Sequence, residues 1–154
     1  HSLRKEIDLV DNYLNIQQVR FDHMLHVKKN IDQNIVLENI PVPSMLLQIH
    51  VENAVEKGIR NREGAHELSI TISDEEGFFK ILIEDDGRGR LPNTMYGENR
   101  KGSTEVMNDL IAILNFYNDE KIMVTYDDQI IHHQYGTRVT ILLPKNFNYA
   151  FEKI

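Results

Sequence analysis

The sequence predicts an α+β sandwich, with helices segregated over an antiparallel or mixed sheet. Three observations carry that expectation. Apolar residues recur at helical spacing in three separate stretches, they alternate with polar residues in paired stretches, and the order along the chain is helix, strands, helix, hairpin, loop, helix, hairpin. A length of 154 residues fits one domain, and 41% hydrophobic against 27% charged residues provides enough apolar content for a core, which excludes disorder.

Ser2 caps the first helix, whose stripe Leu3, Ile7, Val10 and Leu14 packs on one side only and which reaches Val19 or so. Strand-like pieces follow at 24–27 and 34–37. Pro41 and Pro43 break the chain before Ser44, which opens a second helix through Met45, Leu46, Ile49, Val51, Ala54 and Val55, with Gly58 placed to end it. After a polar loop at 61–64, Leu68, Ile70 and Ile72 alternate with Ser69, Thr71 and Ser73 as in a half-buried strand. A tight turn at 74–77 leads to the partner strand at 79–83. Residues 85–104 carry Gly87, Gly89, Gly97, Gly102 and Pro92 with almost no periodicity, and a loop of that length in a compact domain usually serves as a lid or binding loop. Val106, Leu110, Ile113 and Leu114 restore a helical stripe. Residues 122–126 and 138–143 read as strands joined by a polar turn at 127–134, with Pro144 closing the last.

Charge and composition narrow the function classes. With 17 basic and 24 acidic side chains the formal charge is −7, so a nucleic-acid partner is not expected. The absence of cysteine excludes disulfides, thiolate metal sites and thiol nucleophiles, and fits a reducing compartment. No apolar run approaches the roughly 18 residues that span a bilayer, and a start at His1 rather than Met suggests a tag remnant on a fragment of something longer. The pairs His132–His133 and His23/His26 lack carboxylates at metal-site spacing, and no serine sits in a nucleophile elbow.

Three constellations remain. Asp85-Asp86-Gly87-Arg88-Gly89 stands at a strand end, where the glycines let backbone approach a ligand and a carboxylate can accept from an exocyclic amine; the same residues also make an everyday turn. Glu52 and Asn53 are adjacent on an otherwise apolar helix; an Asn oxygen is a suitable hard ligand for Mg²⁺ bridging phosphates, and a solvated helix face is the plain alternative. Gly136-Thr137 opens the final strand, where a hydroxyl can back a ligand or a hairpin glycine can simply precede a β-branched residue.

In this order the three resemble a known family. "IPVPSMLLQIHVENAVEKG" (40–58) looks like the asparagine box of the autolysin-sensor, or LytS-like, sensor histidine kinases. "DDGRG" (85–89) resembles the first glycine box of the gyrase, Hsp90, histidine kinase and MutL superfamily, and "YGTRVTILLP" (135–144) is similar to its terminal Gly-Thr strand. "SLRKEIDLVDNYLNIQQVRF" (2–21) resembles the second helix of that family's dimerisation and phosphoacceptor region. The resemblance implies a Bergerat-type two-layer α/β sandwich, a mixed and largely antiparallel sheet covered on one face by helices. It divides the chain into the end of the dimerisation region at 1–22 and an ATP-binding catalytic domain at 23–154.

Carried over, it implies that Asn53 holds Mg²⁺, that Asp85 receives the adenine amino group, that Gly87, Gly89 and Gly102 shape the nucleotide pocket with Lys57, and that Thr137 backs Asp85. Glu52 sits beside the phosphates as a catalytic residue with Asn53. The implied activity is a protein histidine kinase using ATP and Mg²⁺ on a histidine outside this fragment. The implied partners are a response regulator and a second copy of the full-length protein. The implied location is the cytoplasmic side of a bacterial inner or plasma membrane, reached only through absent parent segments. Ile49 stands where nucleotide-hydrolysing members carry Glu, which points to kinase rather than ATPase chemistry. Three departures frame the alternative, a degenerate regulatory or docking module. One glycine remains in 101–104 where Gly-x-Gly-Leu is usual, Glu56-Lys57 replaces Lys-His, and Asp86 replaces Asn.

Overall fold

The computed structural model describes residues 1–59, 64–87, 102–131 and 134–150, with the side chains at 57–58, 128–131, 134 and 135 outside that description. Helix α1 (Leu3–Arg20) begins as expected, the Ser2 hydroxyl accepting from the Lys5 N–H at 3.3 Å. Its stripe Leu3, Ile7, Val10 and Leu14 is buried. Strand β1 (Leu25–Ile31) follows, then a 3-10 turn (Leu37–Asn39) and helix α2 (Leu46–Asn53), which continues into a π-helical turn (Ala54–Ile59). Strands β2 (His66–Asp74) and β3 (Phe78–Asp85), helix α3 (Ser103–Phe116) and strands β4 (Met123–Ile131) and β5 (Gln134–Pro144) complete the chain.

The five strands form one sheet in the order β1-β2-β3-β5-β4. β1 runs parallel to β2 and the other pairs are antiparallel, so the sheet is mixed and largely antiparallel. A parallel pair needs a crossover, and α2 is the helix of that crossover. Leu68, Ile70 and Ile72 of β2, Ile81 and Ile83 of β3 and Val139, Ile141 and Leu143 of β5 form one core with α1, α2 and α3. Each such fully buried aliphatic side chain stabilises the fold by about 1.5–3 kcal/mol. The alternate residues Ser69, Thr71, Ser73, Lys80, Glu84 and Arg138 are at least partly exposed on the other face, where Arg138 pairs with Glu84 at 3.3 Å.

The α1 stripe, for its part, lies in the same core as the sheet. Several expectations are corrected. Residues 34–37 are not a strand. The chain turns there, Ile35 N–H donating to the Asp32 carbonyl at 3.2 Å, and Leu37 plugs into the core. Gly58 does not end the second helix. Val51, Val55 and Ile59 are all buried at spacings of four, wider than the 3.6 of an α-helix, and the π turn keeps them on one face.

On α3 the buried residues are Met107, Ile111 and Leu114, whereas Val106 and Ile113 are more than half exposed. The helix is apolar on two adjacent faces, so periodicity alone could not choose between them. The polar stretch at 127–131 is strand rather than turn, since Asp127 pairs in register with Arg138 and Asp128 with Thr137, a match that suits opposite charges on an edge.

Candidate functional site

Four element ends meet at one end of the sheet. They are the last residue of β3, the start of β5, the end of α2 with its π turn, and the first turn of α3. The π turn that follows α2 packs against both β3 and β5.

Asp85 closes β3 opposite Thr137 of β5. Its side chain lies on the core face with Ile81 and Ile83 and is 4% exposed. Oδ1 accepts from the Gly87 N–H at 2.9 Å. Burial pushes the carboxyl up from 3.8 to about 6. The Gly87 amide opposes that shift, the Asp86 charge adds to it, and the Thr137 amide and His66 oppose it. Gly136 explains how the strands come so close. A Cβ built there would lie 1.9 Å from the Asp85 carbonyl oxygen and 2.9 Å from its carbon, so the backbone contact at this point requires glycine.

Asp86 is turned the other way. Its Oδ1 accepts from the Glu67 N–H at 3.0 Å and meets His66 Nδ1 at 3.2 Å, so its carboxylate is tied to the start of β2. The adjacent acidic residues therefore have separate environments.

Asn53 ends α2. Its Nδ2 donates to Thr104 Oγ1 at 2.7 Å, in the first turn of α3, which leaves Oδ1 as the oxygen a cation would use. Glu52 is held from one turn back by Gln48 Nε2 at 3.0 Å. Beside them the Tyr13 hydroxyl is raised to about 12, by burial first and then by the charges of Glu56 and Glu52, with Arg20 opposing. Gly102 is the N-cap of α3 and offers no side chain of its own. The opening amides of a helix have no intrahelical partner and suit an anion.

The structure joins Asp85 with Gly87 and Thr137 at the end of β3, and joins Asn53, with Glu52 beside it, to the first turn of α3 that follows Gly102. Lys57 lies on the π turn with its side chain outside the description, and Gly89 falls outside the described residues. Thr104, His66 and Gly136 are contributors whose roles sequence reasoning missed or left open. Gly136 stood in a motif already noted, but no local pattern marks Thr104 or His66. Among the described residues no three His, Asp or Glu side chains form a metal cluster. A Mg²⁺ ion that keeps waters and leans on substrate phosphates needs no such cluster, and a single Asn oxygen fits it.

The fold is that of the catalytic domains of histidine kinases. The catalytic domain of the histidine kinase ThkA superposes with a TM-score of 0.60 at 10% identity, covering 96% of this chain and 97% of that one. The same kinase in complex with the response regulator protein TrrA matches at 0.59 and 13% identity, over 95% of this chain and 41% of that one. In sequence, the chain is 28% identical over 142 residues to the sensor histidine kinase YpdA of Escherichia coli, covering 92% of this chain and 24% of that protein. It is 30% identical over 118 residues to the sensor protein LytS of Streptococcus mutans, covering 76% of this chain and 20% of that protein. No family model matches the chain. The chain is thus similar over most of its length to LytS- and YpdA-type sensor kinases, and it has the fold of histidine kinase catalytic domains. It spans between a fifth and a quarter of those two relatives. No helix among the described residues is long and apolar enough to cross a membrane.

Proposed function

We propose that this chain is the ATP-binding catalytic domain of a two-component sensor histidine kinase. It would transfer the γ-phosphoryl group of ATP to a histidine outside residues 1–154, from which a response regulator takes it. The observation that carries this reading is Asp85, a carboxylate buried at a strand end against backbone that only Gly136 allows so close.

In this reading Asp85 accepts from the amino edge of adenine, and the amides of Gly87 and Thr137 fix its orientation. The donors of the base stabilise the charge that burial alone disfavours. Asn53 presents Oδ1 to Mg²⁺, which when bound offsets the repulsion between triphosphate and an acidic protein. Lys57, the amides that open α3 after Gly102 and the backbone around Gly89 flank the phosphates. Glu52 faces the incoming imidazole, whose nitrogen attacks the γ-phosphorus as the bond to the β,γ-bridging oxygen breaks and ADP leaves. Residues 1–22 are the C-terminal part of the dimerisation and phosphoacceptor region, and 23–154 the ATP-binding catalytic domain. The domain works on the cytoplasmic side, and the full-length protein acts as a homodimer.

The alternative, a docking module that has lost its nucleotide, draws on the single glycine of 101–104. The extra charge of Asp86 counts less toward it, since that carboxylate is engaged by β2. A thermal shift with Mg-ATP separates the two. At 1 mM nucleotide and a Kd near 10 μM, binding stabilises by about 2.7 kcal/mol. The expected result is a shift that Asp85→Asn removes. No shift in the wild-type chain, beside a responding control kinase, favours the docking module.

A further inference from the structure

The helix that carries Glu52 and Asn53 has no cap of its own. Its N-cap residue is Met45, in the left-handed region at φ 72°, with no side-chain hydrogen bond to the helix. Ser44, the expected opener, is not the cap. The role passes to Glu6 on α1, which is fully buried. Its Oε1 accepts from the N–H groups of Leu47 at 3.0 Å and Gln48 at 3.1 Å, and its Oε2 accepts from that of Met45 at 3.2 Å. His1 Nε2 completes the set at 2.7 Å. At the far end α1 meets the same segment again, where Arg20 binds Glu56 on the π turn at 2.9 Å.

A serine or aspartate at position 45 would satisfy the same amides locally. A carboxylate from another helix does more, because it makes the placement of α2 depend on α1. With eight residues α2 is a rod about 12 Å long, so a shift or rotation at its start is delivered to Asn53 at its end.

We propose that Glu6 is a positioning residue for the magnesium side of the site. By fixing the register and rotation of α2 it holds Asn53 Oδ1 and Glu52 where the metal and the γ-phosphate lie, while Asp85 on the sheet is set independently. The ligand named here rests on the nucleotide reading above.

Glu6→Gln keeps the shape and one acceptor oxygen while removing the charge and turning an NH₂ toward backbone donors. Two measurements on the whole chain test it. In amide hydrogen exchange without nucleotide, protection at 53–59 should fall about tenfold relative to that of the Gly87 amide. In binding, the gain in ATP affinity on adding Mg²⁺ should fall about tenfold, the scale of a lost charge-assisted hydrogen bond. Adenosine affinity in EDTA, which Asp85 serves, should change less than about twofold, since sites without shared partners act nearly independently. In an Asn53→Ala background Glu6→Gln should leave the gain unchanged.

A lower melting temperature with wild-type exchange ratio and wild-type magnesium gain would make Glu6 a cap only and overturn the proposal. Glu6→Asp, one methylene shorter with its charge intact, is read by the same ratios should Glu6→Gln not fold, and an intermediate loss is expected. A wild-type chain without magnesium-dependent ATP binding sinks the nucleotide reading instead, and the exchange ratio still decides on Glu6.

Discussion

Among the described residues two carboxylates are buried, and they are treated in opposite ways. Glu6 is met from three sides by backbone amides that belong to the start of α2. Asp85 is comparably shielded, yet its ionised form is disfavoured and its pKa stands at about 6. A carboxylate whose donors are all supplied by the fold is doing structural work. One whose burial outweighs the amides that meet it has its charged form disfavoured, and in the proposed reading a ligand donor offsets that cost. Removing the charge should therefore have opposite signs at the two positions.

Glu6→Ala has the largest expected effect. It leaves a void and removes the acceptor of three amides at the start of α2, that of Leu47 buried and those of Met45 and Gln48 partly so, and with about 1–3 kcal/mol for a buried unsatisfied group, about 3–4 kcal/mol of stability should be lost. Urea unfolding at pH 7 reads it directly, and a loss below about 1 kcal/mol would place Glu6 among ordinary surface acids.

Asp85→Asn should go the other way. Because the folded pKa is raised, from 3.8 to about 6, the stability linked to this group is fully present below 3.8 and is lost as pH rises through about 6. At pH 7 the ionised carboxylate costs the nucleotide-free fold about 3 kcal/mol. The asparagine variant should recover much of that while losing its response to Mg-ATP. A variant both less stable and still responsive breaks the comparison.

His50 sharpens it from the basic side. It is buried on α2 against Tyr126, ring centroids 5.5 Å apart, with neither ring nitrogen hydrogen-bonded. Burial lowers its pKa from 6.5 to about 4, so its stability is fully present above 6.5 and is lost as pH falls toward 4. Between pH 7 and pH 5 the histidine removes about 2 kcal/mol while Asp85 returns about 1 kcal/mol, by the usual 1.36 kcal/mol per pKa unit. The wild-type chain should therefore change little over that interval. Asp85→Asn should lose about 2 kcal/mol and His50→Leu should gain about 1 kcal/mol over the same range. Chemical denaturation at both pH values measures all three.

The contrast between the carboxylates also explains what could be read from the sequence. Asn53 stood out as a polar residue on an apolar helix and Asp85 as a strand-end carboxylate before two glycines, each with a plain structural alternative, and the order of the motifs singled them out. The hairpin of β2 and β3 and the α1 stripe followed from periodicity and capping. Glu6 could not be found that way, since position 6 reads as one more charged residue in a helix and its partners lie far along the chain. The bond from Asn53 to Thr104 is hidden for the same reason. The π turn, the buried face of α3 and the polar half of β4 were missed because tertiary packing chose among patterns that local spacing left equal.

The smallest effect belongs to the other contact between α1 and the α2 segment. Arg20 reaches Glu56 at 2.9 Å, but the two side chains are 40% and 36% exposed. At that exposure solvent screens the charges and ordering two long side chains offsets most of the attraction, so Arg20→Ala should cost less than about 1 kcal/mol, and less still in 0.5 M salt. The urea midpoint at low and high salt is the measurement. A loss rivalling that of Glu6→Ala would mean that α1 grips the segment as firmly at the π turn as at its start. The placement of Asn53 would then be set from both ends rather than from the buried carboxylate.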